Sequence, residues 1–207
     1  MGDWESIFKK DGKVFLTAQE DMEKIIKLLK KEKVRKILDL GCGSGRHTVL
    51  FAKQGFDVYA TDISKTGLKM TRKWLKEKNL CAKLKEHSCY EKFPFKDKRF
   101  DAIISTQVIH HNFHEKVKFC ISEIERVLKP GGLIFITVAA NKRKQGATAF
   151  MMSEPRTYTP LDGKEKGVPH FIYTKTLMKK DFKNFKILSI CRDNGNHWCL
   201  LGRLKET

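Results

Sequence analysis

The 207-residue chain is 41% hydrophobic and 32% charged, a globular composition large enough for one domain with a full core and too small for two ordinary ones. Lys and Arg number 42 against 24 Asp and Glu, a formal net charge of +18. The sequence holds no apolar run of membrane-spanning length, no low-complexity tract and no C-x-x-C pair, which excludes a transmembrane-helix protein, a disordered tail and the commonest zinc or dithiol motifs.

The opening MGDWESIFKKDGK mixes acids and lysines with few apolar residues and lacks a signal-peptide core, so a cytoplasmic protein without membrane attachment is expected. Gly2 and Ser6 form only a short, permissive myristoylation pattern. The cysteines (Cys42, Cys81, Cys89, Cys120, Cys191 and Cys199) are scattered, mostly beside apolar residues, as reduced thiols are. The excess charge is mostly lysine spread along the chain. It reads either as a field that attracts nucleic acid and other anions or as lysine solvating helix faces, and no aromatic and arginine interleaving marks a base-stacking platform.

In chain order, Trp4 and Phe8 are read as a flap over a ligand or an anchor onto a sheet. TAQEDMEKIIKLLKK follows, with Thr17 and Glu20 at capping-box spacing and Ile25, Ile26, Leu28 and Leu29 at helical spacing. VRKILDL is a short apolar run beside glycines, as a buried parallel strand requires. Residues 46–54 are helical in pattern, with Gly55 placed as a C-cap. DVYAT predicts a second strand, and Ser64 caps a second core helix carrying Leu68, Trp74 and Leu75. CAKLKEH is a weak third strand and FDAIIST a stronger fourth. EKVKFCISEIERVLKPGG is a helix stopped by Pro130-Gly131-Gly132, and LIFITVAA a fifth strand. Strands alternating with helices imply a doubly wound, mostly parallel α/β sheet. Residues 141–170 break the rhythm and predict a long loop acting as a lid, with Phe150, Met151, Met152 and Tyr158 facing a substrate. A short helix near 174–182 and a hairpin of FKILSIC with HWCLLGRL close the chain.

The first strand ends in DLGCGSG, so Gly41, Gly43 and Gly45 form the loop on which ligands of open parallel sheets rest. The spacing G-x-G-x-G departs from the G-x-G-x-x-G that presents a pyrophosphate to a helix, and Asp39 is a poor neighbour for phosphates but a good one for an ammonium or sulfonium. Asp62 ends the second strand about twenty residues on, where an acid accepts ribose hydroxyls. A nucleoside joined to an amino acid is the implied ligand, and S-adenosyl-L-methionine is that combination.

ILDLGCGSGRHT, VYATDIS, FPFKDKRFDAIISTQVIHH and ERVLKPGGLIFIT, in this order, resemble the class I S-adenosylmethionine-dependent methyltransferases over residues 34–140. The resemblance implies a seven-stranded sheet with an antiparallel last strand, in agreement with the expected hairpin. It implies that the glycine loop, Cys42 included, holds the methionine part, with Asp39 reaching towards its amine. Asp62, with Ile63 beside it, meets the nucleoside. Cys89 stands where the family often carries an acid near the adenine amine, so that contact falls to Ser88, Cys89 or Tyr90 through a hydroxyl, a backbone amide or stacking. Gln107 matches a position that lines the methyl-donor pocket. Arg46 and His47 meet the methionine carboxylate or solvent.

Methyl transfer from a sulfonium demands alignment above all, and a base only when the acceptor arrives protonated. His110 and His111 are the candidate catalytic residues, with His114 nearby; packing is their bland reading. The i, i+1, i+4 pattern lacks the acids and cysteines of a metal site, so no metal is expected. His170 and His197 either meet the same cleft or are core or surface residues. The whole is read as one methyltransferase domain, residues 1–207: flap and first helix (1–33), cofactor core (34–140), lid (141–170) and hairpin (171–207). A small-molecule acceptor is expected. The alternatives are an RNA (tRNA) acceptor, favoured by the charge and the lysines and arginine around the lid, and a non-catalytic cofactor-binding subunit. A nicotinamide oxidoreductase is the remaining enzyme reading, and the sequence does not specify an oligomeric state.

Overall fold

The computed structural model describes residues 4–12, 16–141 and 147–206. Gly2 with its myristoylation pattern, and Lys142, Arg143 and Lys144 of the basic run, lie outside the described residues. The central sheet is built from β1 (Lys36–Leu40), β2 (Asp57–Asp62), β3 (Lys83–Glu86), β4 (Phe100–Thr106), β5 (Leu128–Ala139), β9 (Phe185–Arg192) and β10 (His197–Leu204). Its order is β3-β2-β1-β4-β5-β10-β9. The first five strands pair in parallel, and β10 runs antiparallel to both β5 and β9. The mostly parallel seven-stranded sheet and the closing hairpin are therefore as expected.

Helices cover both faces because the strands are apolar on both. Met22, Ile25 and Leu29 of α2 (Met22–Lys31) and Phe51 of α3 (Arg46–Lys53) pack on one face with Ile37, Val58 and Ile104. Val117, Cys120 and Ile124 of α5 (His114–Val127) pack on the other with Leu38, Ile103 and Ile136. Between α3 and α5 in sequence, α4 (Lys65–Glu77) starts at Ser64, whose hydroxyl accepts from Gly67 N at 2.9 Å. In register, Asp39 lies opposite Ala60 on one side and Ile104 on the other. The loops leaving β1, β2 and β4 consequently emerge together, at the reversal of strand order where such sheets bind ligands.

Three expectations change. The Thr17–Glu20 capping box does not form: α2 begins at Met22 after Asp21, and Glu20 instead accepts from the Asn194 amide at 3.0 Å, tying the helix to the β9–β10 turn. β5 starts at Leu128 rather than after the glycines, because Leu128 already pairs with Phe100 before a register shift. Finally, the lid is not a loop. β6 (Phe150–Glu154), β7 (Thr157–Pro160) and β8 (His170–Phe171) form a small antiparallel sheet, with Arg156 at φ +67° turning the first hairpin. The β-branched and aromatic residues of TYT supply that propensity, and the surrounding Gly, Pro and Lys obscure it in the sequence.

The small sheet is registered on the large one by backbone bonds: Phe171 N donates to His110 O at 2.7 Å and Tyr173 N to Ala139 O at 3.0 Å. The buried Phe171 ring stacks on His114 at 4.2 Å and meets Tyr173 edge-on at 4.9 Å. Next comes α6 (Lys175–Asp181), capped by Thr174, and it carries the fully buried Met178. Phe171→Ala is expected to cost ~3–5 kcal/mol in denaturant unfolding; a loss below ~1 kcal/mol would show that the small sheet is not anchored through this ring.

Candidate functional site

A cavity of about 450 Å³ opens beyond the carboxyl ends of β1, β2 and β4, within the size range of small-molecule sites. One end is lined by Gly41, Cys42, Gly43, Asp62 and Ile63. Ser88, Cys89, Tyr90 and Gln107 line its wall, and His110 and His111 its far half. Gly41 (φ +74°) and Gly43 (φ +54°) adopt left-handed backbone, and a Cβ on Gly41 would sit 2.4 Å from a Val108 methyl. Glycine is demanded there by both conformation and space.

Asp62 shapes this end. Its Oδ2 accepts from Gly43 N at 2.7 Å and its Oδ1 from Ser64 N at 2.8 Å. Burial pushes its carboxyl upward in pKa, against the pull of those amides. Each carboxylate oxygen retains a second acceptor direction. Gln107, at the end of β4, has φ +61°, and its amide N donates to Thr137 Oγ1 at 2.9 Å. That left-handed turn throws the segment 108–113 across the cavity, where the Tyr90 hydroxyl donates to Val108 O at 3.2 Å.

Two predicted residues lie behind the cavity wall. Gly45 caps α3, away from the lining residues. Asp39 is buried beneath the loop, where its Oδ2 accepts from the Thr48 hydroxyl at 2.6 Å, and burial raises its pKa to about 6. Asp39 therefore stands outside the cavity lining, with Thr48 of the first turn of α3 bonded to it. His47, for which solvent was one reading, is buried too. Its Nε2 accepts from Gln19 N at 3.0 Å, and burial lowers its pKa to about 3. Arg46 does line the cavity, with its guanidinium donating to Thr17 O at 3.1 Å.

At the far half, His170 from β8 and His197 from β10 join His110 and His111, while His114 turns away to Asp181 at 2.7 Å and to Phe171. Burial first, then the neighbouring His170 and His197, hold His111 well below the ordinary histidine pKa. Phe150 and Tyr158 line this half as expected, whereas Met151 and Met152 point outwards, 51% and 62% exposed on the edge strand β6. Glu165, His170 and His197 were hard to place from sequence, since nothing local shows which side of a lid or strand faces the cleft.

Trp4 and Phe8 of α1 (Trp4–Asp11) close the cavity, Trp4 lying 4.9 Å from the His111 ring. Glu5 latches the helix: it accepts from the Ser64 hydroxyl at 2.6 Å, Thr66 N at 3.0 Å and the Thr66 hydroxyl at 2.7 Å. These bonds, Ser64's foremost, lower its pKa from 4.5 to about 2.

The methyltransferase-domain family matches residues 38–136, the stretch that contributes the glycine loop, Asp62 and both adjacent histidines. Residues 38–136 are thus similar to the methyltransferase-domain family, and the sheet order is that of the class I methyltransferase fold. The chain is similar to a ubiquinone biosynthesis O-methyltransferase of Rickettsia akari, 29% identical over 118 residues, 57% of this chain and 45% of the relative. It is also similar to the mouse protein named "Probable tRNA methyltransferase 9B", 34% identical over 52% of this chain and 22% of that protein. The chain spans under half the length of these curated relatives. In fold it is similar to 1,6-didemethyltoxoflavin-N1-methyltransferase of Burkholderia thailandensis, solved with its namesake substrate and S-adenosylhomocysteine. The TM-score is 0.72 at 18% identity, covering 96% of this chain and 84% of that one.

S-adenosylmethionine is the cofactor of this class I family, and the residues present suit it. The glycine backbone forms a cradle that a Cβ would fill, and Asp62 offers carboxylate acceptors beside it. No helix among the described residues is long and apolar enough to cross a membrane.

Because the Asp39 pKa rises from 3.8 to about 6 on folding, the folded state binds the extra proton between those values and stability falls as pH rises through that window. Asp39→Asn should remove this slope, gaining on the order of 2 kcal/mol relative to the parent chain between pH 4 and pH 7. Parallel stability–pH curves from denaturant unfolding would contradict the assignment.

Proposed function

We propose that the chain transfers the methyl group of S-adenosylmethionine to a nucleophilic atom of a small-molecule acceptor. The supporting observation is a single cavity that runs from the glycine loop and Asp62 to a histidine-lined half roofed by the small sheet and α1. In this reading residues 1–207 work as one domain. Gly41, Cys42 and Gly43 present backbone to the methionine portion, and Arg46 meets its carboxylate. Asp62 accepts the ribose hydroxyls through the lone pairs left over from Gly43 and Ser64. Ile63, 55% exposed at the cavity mouth, covers one face of the adenine, with Ser88, Cys89 and Tyr90 along its edge. Asp39 and Gly45 act indirectly, by holding the loop and the start of α3.

S-adenosylmethionine, when bound, supplies an electrophilic methyl carbon. The remaining task is alignment of the acceptor at about 3 Å on the side opposite the sulfur, with water excluded. Gln107 sits between the two halves. His110 and His111 line the acceptor compartment and orient the acceptor's nucleophilic atom toward the methyl carbon. Trp4 and Phe8 shut out solvent while Glu5 holds α1 in place.

An RNA acceptor is the second reading, favoured by the net charge of +18 and by the tRNA methyltransferase name of the mouse relative. Labelled methyl transfer to RNA and to a small-molecule extract, run side by side at low and moderate salt, separates the two. Label in the small-molecule fraction is expected. Label in RNA would promote the second reading, and cofactor binding without any transfer would leave a non-catalytic subunit.

Asp62→Asn is expected to weaken S-adenosylhomocysteine binding by ~1–3 kcal/mol in calorimetry, the scale of a lost buried hydrogen-bond partner. Unchanged affinity would remove the ribose role.

A further inference from the structure

We propose that His110, His111 and His170 form a binding site for a divalent transition-metal ion at the acceptor end of the cavity. One ligand nitrogen from each ring lies within 4.8 Å of the others, and the ring centroids are 4.0, 4.7 and 5.9 Å apart. Around an ion with metal–nitrogen bonds of ~2.0–2.1 Å in tetrahedral geometry, such nitrogens stand ~3.3 Å apart. Small ring rotations, moving each nitrogen by less than about 1 Å, therefore reach it. Imidazole donors suit zinc, iron, nickel and copper rather than magnesium or calcium.

The backbone holds this arrangement in register. His110 and His111 are neighbours in the turn closed by His111 N donating to Val108 O at 3.0 Å, and Phe171 N donates to His110 O at 2.7 Å, which places His170 beside them. His170 Nδ1 donates to Val168 O at 2.8 Å, the kind of bond that fixes a ligating imidazole with its other nitrogen presented. That Nε2 lies 2.8 Å from the buried Glu165 carboxylate. Glu165 thereby stands as an acidic partner beside the ion.

Three nitrogen ligands leave a position open, and all three residues line the cavity, so that position faces the acceptor compartment. The ligand class this site takes there is an acceptor hydroxyl or thiol, whose proton the ion makes easier to lose to solvent. This last point rests on the methyltransferase reading: the freed lone pair forms the bond to the methyl carbon as the carbon–sulfur bond breaks, with the electron pair going to sulfur. Ion binding itself does not rest on it.

The test titrates tag-free, metal-free full-length protein with Co²⁺, followed by visible absorption and calorimetry, alongside S-adenosylhomocysteine binding to the same samples. One equivalent is expected, displaced by Zn²⁺, with d–d bands and no thiolate charge-transfer band. His111→Gln and His170→Gln should each weaken it at least about tenfold, while His114→Gln should not. Should the variants unfold, proton NMR of the Co²⁺ form of the parent chain replaces them, and shifted imidazole N–H signals from three rings are expected. Absence of Co²⁺ binding, or parent-like affinity in His170→Gln, would overturn the site. So would a thiolate band lost in Cys191→Ser, which would put the ion on the Asp21, Cys191 and Cys199 group. Co²⁺ binding without S-adenosylhomocysteine binding would instead overturn the methyltransferase reading and leave the metal site standing.

Discussion

The carboxylate of Asp62 accepts one backbone N–H from Gly43 and one from Ser64, and so ties the loop after β1 to the start of α4. Glycine contributes no side chain and loses the most chain entropy on ordering, so the loop is held through its backbone, with Gly41 N and Cys42 N also donating to Thr61 O at 2.8 and 2.9 Å. The Thr71 hydroxyl adds a bond to Gly43 O at 2.9 Å, and Ser64 passes the connection on to Glu5 and the covering helix α1. The loop, α4 and the cover thus share one hydrogen-bonded chain that begins at Asp62. A buried carboxylate satisfied by two fixed amides is rigid, and it retains the acceptor directions that a ligand hydroxyl needs.

That chain was partly legible beforehand. The apolar runs ending in DLGCGSG and in YATD place an acid and three glycines at strand ends, and alternation of strand and helix brings those ends together. The seven strands with an antiparallel last one were implied by the resemblance to the class I methyltransferases, in agreement with the hairpin expected at the end of the chain. What could not be read was depth. Asp39 and Asp62 both end strands, yet Asp39 is covered by the first turn of α3 through Thr48 while Asp62 reaches the cavity. Sequence spacing carries the direction of a strand but not which helix turn covers its last side chain. The Thr17–Glu20 pattern failed for a related reason, a competing tertiary partner at Asn194.

The acceptor half is where tertiary structure adds most. His114 sits at helical spacing from His110, but it pairs with Asp181, and the third member of the cluster comes from His170, across the small sheet. Phe150 and Tyr158 line the cavity, while Met151 and Met152 lie exposed on the edge strand β6. The lysine excess, by contrast, stays distributed: the cavity is lined chiefly by apolar, histidine and uncharged polar groups, with Arg46 and Lys116 its cationic members among the described residues. Shape and hydrogen bonding within the cavity therefore carry acceptor recognition in this account, and the net field acts at longer range.

Comparing the equilibrium binding of S-adenosylhomocysteine and NADH by calorimetry is the most direct test of the central claim, that the glycine loop and Asp62 hold a nucleoside without phosphates. The account predicts saturable binding of S-adenosylhomocysteine and no heat from NADH. Binding of NADH in preference, or of neither, would contradict it.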